Sequence, residues 1–163
     1  MDYYRLEEAL QVLFEDIIPL SRGQNTTLRQ LCVGVLLAGS TQLSRIARWL
    51  KQDTQQASRV QWLRRSLQSR CLSQEYVYYP FVKHVLACQP GSVTHLVMDR
   101  TSLGDKQTDL LSLNVNFRHH ALPLVWLFMP HGMSDYETQK TLVERCRPLL
   151  PANASIVFHG DTE

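Results

Sequence analysis

The chain lacks a long apolar run, a basic segment at its start and any paired-cysteine motif. No stretch reaches the roughly 18 apolar residues that a membrane-spanning helix requires, so the sequence predicts no membrane contact. The start, Met1-Asp2-Tyr3-Tyr4, does not resemble a signal peptide. The four cysteines form neither a Cys-x-x-Cys pair nor a zinc-ligand spacing, which predicts free or buried thiols in a reducing compartment.

Net charge is also small, but the charges are unevenly distributed. The 163 residues are 44% hydrophobic and 20% charged, which is typical of one folded domain or two small ones. Seven bases oppose only Asp53 between residues 45 and 70, whereas residues 91–163 carry eight acids and six bases. We therefore expect the first half to bind an anion and the second half to hold cations.

Apolar residues recur at helical spacing through most of the first 89 residues. This spacing predicts helices over 3–18, 26–38, 42–50, 54–69 and 73–87, with Gly39 as a C-cap and Pro80 kinking or dividing the last helix. On the fourth helix Ala57, Val60, Leu63 and Leu67 are expected to pack inward. Trp49 and Trp62 are interpreted as core residues.

The helices over 42–50 and 54–69, joined by Lys51-Gln52-Asp53, resemble a helix-turn-helix. Their bases are expected to remain in solvent and to contact DNA phosphates, which sets affinity and register rather than sequence preference. The candidate DNA-binding residues are Arg45, Arg48, Lys51, Arg59, Arg64 and Arg65. The alternative is an ordinary solvated helix face.

Strand-like patterns begin after Pro90-Gly91. They predict strands over 94–99, 111–118, 121–129 and 155–159, with a helix before the last strand that starts at Ser134 and has Glu137 completing a capping box. Asp105 and Asp109 are expected in a hairpin turn. Three short-looped strands followed by a helical crossover predict a mixed sheet of order 3-2-1-4, with the fourth strand parallel to the first. The predicted class is α+β, with a helical DNA-binding region over 1–89 and a sheet domain over 92–163.

Two aspartates close apolar runs in this second region. Asp99 follows His95-Leu96-Val97-Met98, and Asp161 follows Phe158-His159-Gly160. If strand four lies beside strand one, both acids come to adjacent strand tips despite their wide separation in the sequence. Paired carboxylates at such tips can hold divalent metal. The alternative is that both acids are ordinary loop or turn residues.

The motifs around these acids resemble those of DDE-class insertion-sequence transposases of the IS-four-type group. The matching elements are Asp99-Arg100-Thr101, the segment from Arg118 to Trp126 that contains Ala121-Leu122-Pro123-Leu124, and the closing Gly160-Asp161-Thr162-Glu163. The helix around Trp62 also resembles the one that precedes the catalytic core. The resemblance implies a truncated RNase H-like domain.

The resemblance further implies that Asp99 and Asp161 are catalytic ligands of Mg²⁺ or Mn²⁺. The implied function is DNA transposition, in which double-stranded transposon-end DNA is cut and joined by metal-dependent phosphoryl transfer. The third acid of the triad has no counterpart here, since Glu163 is too close to Asp161, so this chain is expected to be inactive alone. A homodimer of the intact protein and a cytoplasmic, nucleoid-associated location in a bacterium are also implied.

Two alternatives remain open at the level of sequence. One is a non-catalytic DNA-binding remnant or regulator that occupies transposon ends. The other is a structural or regulatory α+β protein in which both aspartates are incidental.

Overall fold

The computed structural model describes residues 2–88, 93–104, 107–117, 120–132 and 134–160. The architecture is α+β, with six α-helices and one four-stranded sheet among these residues. The chain divides into two compact units, Met1–Phe81 and Val82–Glu163. The division falls upstream of the Pro90-Gly91 pair that marks the boundary in the sequence.

The helices follow the predicted order, with some changes of extent. They are α1 (Tyr3–Ile17), α2 (Arg22–Ala38), α3 (Leu43–Ile46), α4 (Gln56–Leu67), α5 (Tyr79–Ala87) and α6 (Tyr136–Cys146). Short 3₁₀ turns occupy Arg70–Leu72 and Arg147–Leu149, and a π-helical turn spans Gln74–Tyr78. The wide turn ends just before Pro80, whose missing N–H and bulky ring disfavour a regular helix. The division predicted near this proline is therefore confirmed.

Helix α2 begins earlier than the hydrophobic spacing predicts. The Ser21 N–H donates to Gln24 Oε1 at 2.9 Å, and the Gln24 N–H donates to Ser21 Oγ at 3.5 Å. This capping box satisfies N–H groups that the first turn of a helix leaves unpaired. The helix ends as predicted, because Gly39 adopts the left-handed conformation with φ of 54°.

Helices α2, α3 and α4 share an apolar cluster in which Leu31, Ile46, Ala47, Leu50 and Leu63 are buried. The helix predicted over 42–50 is regular only from Leu43 to Ile46. After Ile46 the backbone tightens, because the Trp49 N–H donates to the carbonyl of Ile46, three positions back. This tighter turn places Leu50 in the cluster.

Three residues that were expected in the core lie outside it. Trp49 is 47% exposed, Leu67 is 58% exposed, and Ala57 is exposed. The inward predictions for these residues are therefore wrong. Trp49 follows the tightened turn rather than a continuing helix, and Leu67 is the last residue of α4. Trp62 is partly buried against the cluster.

The sheet has the predicted order and connectivity. Its strands are β1 (Val93–Ser102), β2 (Thr108–Phe117), β3 (His120–Pro130) and β4 (Ser155–Gly160). The spatial order is β3-β2-β1-β4, with antiparallel β1–β2 and β2–β3 pairs and a parallel β1–β4 pair. Pro123 lies on β3 at the edge of the sheet, where a missing backbone donor is tolerated.

Helix α6 packs on β2 and β3 and covers one face of the sheet. Its N-cap is Asp135, whose Oδ1 accepts from the Thr138 N–H at 2.8 Å, so the predicted cap at Ser134 is wrong. Ser134 Oγ instead accepts from Gln139 Nε2 at 2.9 Å. Cys146, the last residue of α6, is buried, and burial raises the pKa of its thiol to about 11.

Candidate metal site on the exposed face of the sheet

Alternate residues of β1 lie on the face of the sheet that α6 does not cover. We call this surface the Asp99 face, formed by His95, Val97, Asp99 and Thr101 of β1 together with Val157 and His159 of β4. The assignment follows from the pairings His95 with Val157 and Val97 with His159, because paired residues point to the same side. Asp99 is exposed on this face.

Asp99 does not close its strand, contrary to the sequence prediction. Strand β1 continues to Ser102, and Asp99 pairs with Ser112 of β2. The apolar run ends at Met98, but the hydrogen-bonded ladder with β2 extends through Arg100, Thr101 and Ser102. Backbone pairing rather than apolar content therefore sets the end of this strand.

The backbone around Asp99 is held by polar side chains from β2. Ser112 Oγ donates to the carbonyl of Asp99 at 3.4 Å, and Asn114 Nδ2 donates to the carbonyl of Val97 at 3.3 Å. Asn114 Nδ2 also donates to Ser112 Oγ at 2.9 Å. Both side chains are buried. The sequence gives no sign of their burial or of this network.

The carboxylate of Asp99 has one side-chain partner among the described residues, the hydroxyl of Thr101. Thr101 Oγ1 donates to Asp99 Oδ2 at 3.2 Å, since residues two apart on a strand share a face. The Asp-x-Thr motif therefore has a local geometric meaning, because the threonine orients the carboxylate. An exposed, oriented carboxylate oxygen is a hard ligand suited to Mg²⁺ or Mn²⁺.

Strands β1 and β4 pair in register from Val93 with Ser155 to Met98 with Gly160. In every pair, the number of the β4 residue exceeds that of the β1 residue by the same amount, which we call the β1–β4 offset. Asp99 and Asp161 immediately follow Met98 and Gly160, so they are separated by the same offset. Asp161 itself lies outside the described residues. No cluster of three or more His, Cys, Asp or Glu side chains suited to a metal ion occurs within the described part of the chain.

A histidine pair joins the two strands on the Asp99 face. His95 Nδ1 and His159 Nε2 are 2.9 Å apart, and both side chains are exposed. The ring centroids are 5.3 Å apart with an interplanar angle of 19°. Because the nitrogens are so much closer than the centroids, the rings meet edge to edge. The sequence gives no sign of this contact between distant positions, although the constant β1–β4 offset makes the two histidines diagonal neighbours.

Asp109 was expected in a turn, and this prediction is wrong. It lies in β2 and is fully buried, whereas Asp105, expected in the same turn, lies outside the described residues. Asp109 Oδ1 accepts from His131 Nδ1 at 3.0 Å, and its Oδ2 accepts from the Gly132 N–H at 3.2 Å. Arg100 Nη1 lies 3.8 Å from Oδ2 and donates to the carbonyl of Gly132.

These contacts keep Asp109 ionised. The hydrogen bond from His131 is the largest cause that lowers its pKa from 3.8 to about 2, with further hydrogen bonds from Ser102 and Gly132, whereas burial acts in the opposite direction. Register places Asp109 opposite Ser102, on the face covered by α6. We therefore interpret the cluster as an anchor for the turn after β3 rather than as part of the Asp99 face.

The predicted DNA-contacting bases fall into two groups. Arg45, Arg48, Arg64 and Arg65 are exposed. Arg59 is half-buried and donates from Nη1 to the carbonyl of Leu50 at 3.0 Å, so the expectation that it lies in solvent is wrong. Lys51 Nζ lies over the ring of Tyr4 at 3.4 Å from its centroid. Arg59 and Lys51 are thus engaged within the protein.

Comparisons with protein-family models, curated proteins and solved structures find no match for this chain. Within the described residues, no helix combines the length and the apolar character needed to cross a membrane.

Proposed function

We propose that this chain carries the DNA-binding helices and the first two metal-ligating aspartates of a DDE-class transposase. The observation that supports it most strongly is the agreement between two offsets. Residues paired between β1 and β4 keep one constant offset in sequence number, and Asp99 and Asp161 are separated by that same offset. This agreement is expected of two ligands that share a site on neighbouring parallel strands.

Residue chemistry on the Asp99 face fits a hard divalent cation. Asp99 is exposed, and the Thr101 hydroxyl orients its carboxylate. Asp99 and Asp161 would hold Mg²⁺ or Mn²⁺ through carboxylate oxygens. When bound, such ions activate a water or a DNA 3′ hydroxyl and stabilise the leaving oxygen in phosphoryl transfer. Ser112 and Asn114 would keep the β1 backbone in place while the ion and DNA bind.

The proposed DNA contacts involve the exposed bases of the first unit. Arg45 lies in the last turn of α3, and Arg48 lies in the tightened turn that follows it. Arg64 and Arg65 lie in the last turn of α4. Contacts to phosphates from these guanidinium groups would provide affinity that is independent of DNA sequence and sensitive to salt. Arg59 and Lys51 would instead stabilise the fold, through the hydrogen bond to Leu50 and the contact with the Tyr4 ring.

Binding of Mn²⁺, followed by electron paramagnetic resonance, tests the metal site without requiring catalysis. We expect the wild-type chain to bind Mn²⁺ and both D99N and D161N to bind it much more weakly. Asp53→Asn is the matched control, because Asp53 is an exposed carboxylate in the other unit. Equal Mn²⁺ affinity in the wild type, D99N and D161N would reject the proposal.

A further inference from the structure

We propose that His95 and His159 form a second, chemically distinct metal site that binds a borderline-soft transition metal such as Ni²⁺, Cu²⁺ or Zn²⁺. The proposal uses different ligands from the aspartate site and does not depend on the proposed function. Its basis is a pair of exposed imidazoles on adjacent parallel strands, with ring nitrogens 2.9 Å apart.

The separation of the nitrogens matches the requirement for chelation. Two imidazole nitrogens that each lie about 2.0–2.1 Å from one ion are about 2.8–3.4 Å apart for bond angles between about 90° and 109°. The observed 2.9 Å lies at the lower end of that range. The strands therefore already hold the two donors at a distance that one ion can bridge.

Binding requires a change of tautomer and a ring rotation but no change in the number of protons. In the edge-to-edge arrangement, one ring donates N–H to the lone pair of the other. If the donor ring carries its proton on its other nitrogen, His95 Nδ1 and His159 Nε2 both present lone pairs. A rotation of one exposed ring then directs both lone pairs at a common point, where the ion binds in place of the N–H···N hydrogen bond, and the proton stays on the other nitrogen of its ring.

The surroundings allow an ion to reach the pair and complete its coordination with water. Both histidines are exposed, and their strand neighbours Val97 and Val157 are also partly accessible, at 38% and 39%. Asp99 lies on the same face, one same-side position beyond Val97, and places a negative charge nearby. Imidazole nitrogen suits Ni²⁺, Cu²⁺ and Zn²⁺, whereas Mg²⁺ prefers oxygen ligands. The two proposed sites should therefore select different metals.

Isothermal titration with Ni²⁺, in the presence of excess Mg²⁺, tests this inference. We expect one Ni²⁺ to bind, and His95→Ala and His159→Ala each to weaken binding by more than about tenfold. His120→Ala serves as the matched control, because it removes an exposed imidazole elsewhere in the chain. Asp99→Asn should weaken Ni²⁺ binding less than either histidine variant does, which separates this site from the aspartate site.

A second measurement on the unmodified chain guards against loss of folding in the variants. Substoichiometric Cu²⁺ should broaden the ring-proton NMR signals of His95 and His159 before those of the other histidines. Wild-type Ni²⁺ affinity in both H95A and H159A, or broadening that begins at other histidines, would show that the pair only hydrogen-bonds β4 to β1.

Discussion

Met98 of β1 and Gly160 of β4 form the last described pair of the parallel ladder, and each immediately precedes an aspartate in the sequence. A parallel pair sets a fixed offset, so two residues separated by that offset lie directly opposite one another on the two strands. Asp99 and Asp161 meet this condition. The β1–β4 pairing is therefore the structural element on which the proposed metal site depends.

We predict that the exposed arginines of α4 contribute to DNA binding, whereas Arg59 contributes to stability. Arg64→Ala and Arg65→Ala should each weaken binding to any duplex and reduce the slope of log K against log salt by about one. Fluorescence anisotropy with labelled duplex DNA over a range of salt concentrations measures both quantities. Unchanged affinity and slope in both variants would exclude α4 from the DNA interface.

Arg59→Ala is the contrasting variant in the same helix. Because Arg59 donates to the carbonyl of Leu50, its removal should lower the free energy of unfolding by about 1–3 kcal/mol. Urea denaturation at neutral pH measures this change. If R59A unfolds like the wild type but loses DNA affinity, Arg59 belongs with the DNA-contacting residues after all.

Replacement of Asp109 by asparagine should destabilise the fold in a pH-dependent manner. The folded-state pKa of about 2 lies below the ordinary value of 3.8, so ionised Asp109 stabilises the fold above pH 4. That contribution disappears as the pH falls from about 4 through about 2. The difference in unfolding free energy between the wild type and D109N should therefore be largest near neutral pH and shrink on acidification.

Chemical denaturation of both proteins at several pH values measures this difference. Asp53→Asn, at an exposed site without a described partner, controls for the general effect of removing a carboxylate. A constant gap between wild type and D109N from neutral pH down to pH 2 would contradict the assignment of Asp109 as the ionised centre of the anchor.

Two glycines of α2 should respond differently to replacement by alanine. A Cβ at Gly34 would lie 2.8 Å from Cγ2 of Ile46, which is stiff because isoleucine is branched at Cβ, whereas nothing lies within 4 Å of a Cβ at Gly23. Overpacking at position 34 should cost about 1–3 kcal/mol, against a gain in helix propensity of about 1 kcal/mol. Thermal unfolding should show a lower Tm for G34A and an unchanged or higher Tm for G23A. A G34A variant more stable than G23A would mean that α2 and α3 do not approach as described.

The sequence was sufficient to predict the sheet order because each connection restricts it. Short links require antiparallel neighbours, and a helical crossover allows β4 to return parallel to β1. The spacing of apolar residues predicted burial and strand ends less well where backbone hydrogen bonds determine them. The residue types do not indicate the tightened turn after Ile46, which leaves Trp49 exposed. They also do not indicate that the hydrogen-bonded ladder extends β1 beyond Asp99.

Long-range polar partners were not accessible from the sequence. Aspartate is a residue type that is common in turns. Only the approach of His131 and Gly132, far along the chain, allows Asp109 to be buried and ionised. The His95–His159 contact also depends on the exact register of β1 and β4. Of the candidate metal site, Asp99 and the parallel pairing followed from sequence patterns, whereas the supporting Ser112 and Asn114 network did not.

We propose that Asp99 and Asp161 ligate the same metal ion, and a double-mutant cycle on Mn²⁺ affinity tests this most directly. Mn²⁺ dissociation constants are compared for the wild type, D99N, D161N and the double variant. Residues that share one site are non-additive, so we expect the double variant to bind no more weakly than the weaker single variant. Losses that simply add, or single variants that bind Mn²⁺ as the wild type does, would contradict the account.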